Sequence, residues 1–488
     1  MLNKKIFEVL QQLDKADIKK FRLFLQSPYF NRGTQSETLL RLFDDLAAHR
    51  FDELNPNLSK ASVFARFYPD ITFVEAEKGP LDALTSELFK HLRRFLTLQK
   101  EEAEGWEEKE ALTLINFYRK NGLDDRFKQS VTTFRKALLE KKIREHDFFQ
   151  NQYQLEYEQS QYQRLHNTGE DDANVMTVDR SLDIQYLLKK LDLICALEYQ
   201  GKLTNFSKLN SKLTQLIQDS IIGDEYPESP LIEVYISTLK LIQQPESDVL
   251  LEKVEQLLEK HQADISYEYQ QSLSGYYRNY WIRKYLRVGS LETSIKVFSI
   301  FKNHFERGFF YIDGKITAAS LRNLLNFALK TGQTEWIKTI LDTHPPEKIT
   351  GTKYAVEIHS LNYAEYYFYQ QEYETALEHL VYRNFENPTF SILADVLLIK
   401  VFYETQNELL EYRVNAMRQK IVRAGFATEV KSRYHNFINK MEKLIKYGWE
   451  KNSPKMAKLH EETTGIPNII EREWLLEKMA ALAPKNRV

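Results

Sequence analysis

Apolar residues recur along this chain at the three- and four-residue intervals of helices lying on a core. Ile6, Leu10 and Leu13 fall on one face, and Ile18, Phe21, Phe24 and Leu25 continue the pattern beyond Asp14. The Asp14 side chain is suited to cap a second helix. Pro28 stops that helix, because the residue before a proline is pushed out of the α region. Thr38–Ala48 and Leu81–Leu98 read as further amphipathic helices, the latter with Leu84, Leu88, Leu92, Phe95 and Leu96 on one stripe. Residues 1–100 therefore form an N-terminal helical domain, with irregular chain expected at 29–32 and 67–74. From 101 to 174 the pattern predicts a long-helix connector. The acidic residues of 101–110 favour a helix start, and Asn121-Gly122 ends that helix. Phe127 to Gln163 then runs as one extended helix or a pair, with Phe148, Tyr153, Tyr157 and Tyr162 as an aromatic stripe. The polar, acidic stretch 168–174 reads as a linker.

From 175 to 488, shorter helices alternate with breaks at Gly201, 223–230, Gln244-Pro245, Gly289, Gly314, Gly332 and Pro345-Pro346. Further breaks fall at Asn387-Pro388, Gly425, Gly448 and 465–467. A spacing of roughly 30–45 residues between helix pairs is the period of helix-turn-helix repeats. The expected fold class is all-α, an N-terminal helical domain followed by a degenerate helical-repeat array, with helix well above about 60% and essentially no sheet.

The clearest unit runs from Glu357 to Phe390. Ala364 is the small residue of its first helix and Tyr367 the aromatic three positions on. Tyr373 follows the turn, Ala376 is the small residue where the second helix crosses the first, Leu380 is a later apolar position, and Pro388 closes the unit. This stretch resembles a tetratricopeptide repeat. It departs from that pattern at 370–372, Gln-Gln-Glu where a glycine is usual, and at Arg383 where an alanine is usual. Residues 321–346 (Ala328, Gly332, Trp336, Ile337) and 279–305 (with Gly289) are weaker copies, so the resemblance covers about a fifth of the chain. It implies a tetratricopeptide-like superhelix binding a protein or peptide. With Tyr367 assigned to the core, Tyr363, Tyr366, Tyr369 and Arg383 are the candidate partner-facing residues. At the other end, the short helix and LDKADIKKFRLFLQ distantly resemble the first two helices of death-fold domains of the pyrin or death-effector type. Pro28 and the aromatics after it do not continue that pattern.

Composition changes the picture in three ways. The chain has 488 residues, with 28 Tyr and 29 Phe against only 16 Gly and 13 Pro, which favours long helices packed by rings over an all-β or Rossmann design. Cys195 is the only cysteine, so no intramolecular disulfide forms, and its apolar neighbours predict a buried, inert thiol. The net charge of -2 exerts no global pull on nucleic acid. Locally, residues 411–460 hold twelve Lys or Arg against four Glu, a net of +8, and nine basic residues lie between 119 and 144. Arg413, Arg418, Arg423, Lys431, Arg433, Lys440 and Lys443 are thus candidates for a nucleic-acid interface. The favoured reading is nonetheless the polar face of two or three helices, balanced by acidic residues elsewhere, including Glu461, Glu462, Glu471 and Glu473. No phosphate loop, dinucleotide fingerprint, HExxH or paired-cysteine site is present, so no catalytic residue, metal site or cofactor is assigned. No apolar run approaches a membrane span and no signal-peptide core is apparent, which makes a cytoplasmic, membrane-free protein the expectation. The expected function is a non-enzymatic protein- or peptide-binding scaffold, the alternative a nucleic-acid-binding helical protein.

Overall fold

Local signals set most helix starts in the computed structural model, which describes all residues except 1–3, 32–35, 75–78, 104, 167–171, 205–225, 382–384, 427, 451–452, 467 and 483–488. The Asp14 carboxylate accepts from the N–H groups of Ala16 and Asp17, both at 2.7 Å. The Asn387 side chain does the same for Thr389 and Phe390, with Pro388 as the first helical residue. The chain divides into two units, Met1–Lys141 with Asp147–Asp183, and Lys142–His146 with Ile184–Val488.

The first unit contains α1 (Lys4–Leu10), α2 (Lys15–Gln26), α3 (Ser36–Ala48), α4 (Lys60–Phe67), α5 (Pro80–Ala103), α6 (Trp106–Lys120), α7 (Asp124–Leu139), α8 (His146–His166) and the start of α9 (Asp172–Thr204). Phe21 sits at the centre of the first core, its ring 5.2 Å from those of both Phe43 and Phe95. The described parts of 29–32 and 67–74 are turns and irregular chain beyond Phe67, as expected. Phe127 to Gln163 resolves into a pair of helices, α7 and α8, held by the stacking of Phe127 on Tyr162 at 4.4 Å. Of the aromatic stripe, Phe148 and Tyr162 are buried, whereas Tyr157 is exposed. Of the expected linker at 168–174, residues 168–171 lie outside the described residues, and 172–174 are not linker but open α9.

The second unit continues with α10 (Pro230–Gln243), α11 (Asp248–Lys260), α12 (Tyr267–Val288), α13 (Leu291–Glu306), α14 (Ala318–Lys330), α15 (Thr334–Thr343), α16 (Ala355–Tyr369), α17 (Tyr373–Val381), α18 (Pro388–Glu404), α19 (Leu410–Arg423), α20 (Thr428–Trp449), α21 (Ser453–Thr464) and α22 (Arg472–Leu482). Consecutive helices pack as pairs: α10 with α11, α12 with α13, α14 with α15, α16 with α17, α18 with α19, and α20 with α21. The first helices of neighbouring pairs also pack on one another, α10 on α12, α14 on α16 and α16 on α18. The fold is all-α with stacked helix pairs. The small exception among the described residues is a three-stranded sheet of β1 (Tyr311–Ile312), β2 (Lys315–Thr317) and β3 (Ile349–Thr350). β1 and β2 are antiparallel, with Tyr311 opposite Ile316, and β2 and β3 are parallel, with Ile316 beside Ile349. The expectation of essentially no sheet missed this element. Its sequence signal is Asp313-Gly314, the dipeptide of a two-residue hairpin with both φ values positive, here 50° and 73°.

One turn recurs between the paired helices. The N–H of Gln333 donates to the carbonyl of Ala328, that of Glu372 to Tyr367, and that of Asn407 to Phe402, at 2.8, 2.9 and 2.9 Å. Each closes a helix over a residue in the left-handed region: Gly332 at φ 73°, Gln371 at 62° and Gln406 at 53°. This six-residue cap normally recruits glycine, so two glutamines occupy a glycine's conformation. Replacing Gln371 or Gln406 by glycine is expected to raise stability by up to about 1 kcal/mol each, because a side chain in the left-handed region costs about 1–2 kcal/mol and glycine's extra chain entropy returns part of that gain. Urea unfolding of the two variants measures it; a lower midpoint in both would contradict the assignment.

Candidate functional site

α16 is wedged between neighbouring pairs, and this decides where its tyrosines go. Ile358 and Tyr366 join the core shared with α13, α14 and α15, while Leu361, Ala364 and Phe368 join the core of α17 to α22. A helix buried on two sides has no single polar face. Tyr366 is consequently 6% exposed and deeper than Tyr367, which is half-buried between the two cores. Tyr363 is also half-buried; its hydroxyl donates to Asp342 and its ring stacks on His379 at 5.4 Å. Burial comes first and the Asp342 carboxylate second in pushing its hydroxyl pKa up. Tyr369 alone of the three is exposed, at 41%. Desolvation of its hydroxyl raises its pKa, and the charges of Lys330, Glu365, Glu471 and Glu473 act on it as well. Arg383 lies outside the described residues.

Around Tyr369 the first helices of several pairs present a row of charges. On α14, Arg322 reaches Asn362 at 3.0 Å and Glu365 at 2.5 Å on α16. Lys330, at the end of α14, pairs with Glu473. On α18, Lys400 is only 4% exposed and donates to Glu471 at 2.7 Å. Its ammonium also lies 4.4 Å from the centre of the Phe368 ring. Burial works against the Glu471 charge, but Lys400, with Lys330 and Arg322 beyond it, outweighs this and holds the carboxyl below its ordinary range. For Lys330 burial again opposes the charge, and hydrogen bonds with Glu473 and Tyr285 outweigh it and raise the pKa. In the sequence Glu471 and Glu473 read only as acidic residues balancing the basic stretch, and nothing there pairs them with Lys330 or Lys400. The one available signal was Lys400 itself, a lysine inside the apolar run VLLIKVF.

Several residues of the basic stretch pair with carboxylates, two of which, Asp395 and Glu462, lie outside it. Arg418 pairs with Glu442 at 2.7 Å, Lys440 with Glu462 at 2.9 Å, Lys443 with the same Glu462 at 3.8 Å, and Arg413 with Asp395 at 3.9 Å. Lys440 is buried. Lys431 donates to the carbonyl of Val422 and Arg433 to Asn468. Arg423 is exposed. In the other basic segment Arg119 meets Glu158, Arg135 meets Glu156 and Lys141 meets Glu108.

Comparison of the chain with protein-family models, curated proteins and solved structures finds no match. Among the described residues no group of three or more His, Cys, Asp or Glu side chains is placed to hold a metal ion, and no helix is long and apolar enough to cross a membrane. Cys195 is fully buried, its thiol directed at the carbonyl of Tyr235 at 3.8 Å, and burial pushes its pKa up. Such a thiol is not a nucleophile.

Proposed function

We propose that this protein is a non-enzymatic scaffold of the cytoplasm, whose second unit is a tetratricopeptide-like array that binds a protein or peptide partner. The observation that carries this reading is the stack of helix pairs whose first helices pack on one another, Arg322 and Lys330 on α14, Tyr369 on α16 and Lys400 on α18. Stacked helix pairs of this kind form an extended surface on which repeat proteins bind their ligands. Ala364 and Ala376, both fully buried at the α16–α17 crossing, support the tetratricopeptide-like description, as does Pro388 opening the next helix.

The scaffold reading is preferred to the nucleic-acid alternative because several of the basic residues already pair with carboxylates. Titration of the protein with single- and double-stranded oligonucleotides at about 50 and 200 mM salt is expected to show no salt-sensitive micromolar binding. Ligands selected from a displayed peptide library should bind about tenfold more weakly to the Tyr369→Ala protein. A triple change of Arg423, Lys431 and Lys443 to Gln should leave them within about twofold, since rim charges contribute little affinity. Salt-sensitive oligonucleotide binding lost in the triple variant would reverse the preference.

A further inference from the structure

Residues 468–482 make polar contacts with a series of first helices. The Asn468 carbonyl accepts from Asn436 of α20 at 2.8 Å, and its side chain accepts from Arg433. Glu471 accepts from Lys400 of α18. Glu473 accepts from Tyr285 of α12 at 2.9 Å and pairs with Lys330 of α14. The Trp474 indole donates to Glu404 of α18 at 2.8 Å, its ring meeting Tyr403 edge-on at 5.4 Å, and Lys478 pairs with the same Glu404. One short segment thus touches the first helices of four pairs, across as many as 188 residues of sequence.

Resting on the scaffold reading, we propose that residues 468–482 are an internal ligand of the first-helix face, and that the partner is a helical segment of the same chemistry. That chemistry is two carboxylates two residues apart, with an aromatic and aliphatic residues directly after them, as in Glu471, Glu473, Trp474 and Leu475. Two features select it. Among the described residues, Lys330 and Lys400 obtain their only ion-pair partners from this segment. Whatever displaces it must supply carboxylates in the same places, because a desolvated ammonium left unpaired is strongly unfavourable. Trp474, Leu475 and Met479 bury the segment's apolar face in the core, so a partner must supply apolar residues as well. The left-handed conformation of Glu471, at φ 52°, is by contrast a backbone strain that an unconstrained partner does not carry. The internal copy compensates through its high effective concentration. The surface is therefore closed until a partner of matching charge competes.

The test uses the full chain and a fluorescent peptide of residues 468–482 in anisotropy titrations. Glu471→Gln/Glu473→Gln weakens the internal ligand, and this variant is expected to bind the peptide about tenfold more tightly than the unaltered chain, the gain expected when an intramolecular competitor is weakened. Adding Lys400→Met should abolish the gain. Equal binding by both chains, or none by either, overturns the proposal. Should the double variant fail to fold, hydrogen exchange on the unaltered chain decides. Excess peptide should speed exchange across 472–482, while a peptide with both glutamates reversed to lysine should not; unchanged exchange overturns the idea. A chain that binds library-selected peptides equally with and without the two substitutions keeps the scaffold reading and removes only this one. A chain that binds oligonucleotides and no peptide removes both.

Discussion

Phe301→Ala is expected to destabilise the second unit by about 3–5 kcal/mol, the range for removing a buried aromatic ring from a packed core. Phe301 is 2% exposed on α13. Its ring lies 5.4 Å from Phe310, which leads into the hairpin, and 5.8 Å from Phe327 on α14. Phe327 in turn meets Tyr285 of α12 edge-on at 5.1 Å. Deleting the central ring removes apolar contact from two helix pairs and the sheet entrance at once. The surrounding helices are tied by their own hydrogen bonds and cannot collapse fully into the space, so a cavity term adds to the lost transfer energy. A loss of this size is a large share of ordinary domain stability. Urea denaturation should show a much lower midpoint with little change in slope. Phe301→Leu, which retains most of the volume, should lose less. A Phe301→Ala midpoint close to that of the unaltered protein would mean that this aromatic cluster does not hold the pairs together.

Ala376→Leu probes the opposite failure, too much volume. Ala376 and Ala364 are both fully buried where α17 crosses α16. The close approach of the two backbones leaves no room for three more heavy atoms without moving a helix or forcing strained rotamers. Overpacking of this kind costs about 1–3 kcal/mol. The expected result is a clearly lower melting temperature, whereas Glu374→Leu, at an exposed position of the same helix, should change it little. Insensitivity of the melting temperature to Ala376→Leu would show that the helices are not in close contact at this crossing.

Much of the helical skeleton is legible in the chain itself, because helix faces and helix ends are local properties. Leu84, Leu88, Leu92 and Phe95 form a buried stripe as their spacing predicts, whereas Leu96, expected on the same stripe, is exposed. Asp14, Gly289, Gly332 and Asn387-Pro388 mark real helix boundaries, since capping groups and φ restrictions act within a few residues. Three features lay beyond that reach. Gln371 and Gln406 adopt the conformation of glycine because pairing of the flanking helices imposes the turn, so composition hid its recurrence. Tyr366 lies deeper than Tyr367 because α16 has neighbours on two sides, and a single-face periodicity cannot describe a helix buried twice. The excess of charge in 411–460 and the acidic residues after it, Glu462 among them, are legible in the chain, but not that Lys440 meets Glu462 or that Arg413 meets Asp395. The burial of Lys400 against Glu471, 71 residues away, was equally hidden. Periodicity records which residues avoid water along one helix. Only the packing of distant helices decides which charges are paired, and so which surface is left to meet a partner.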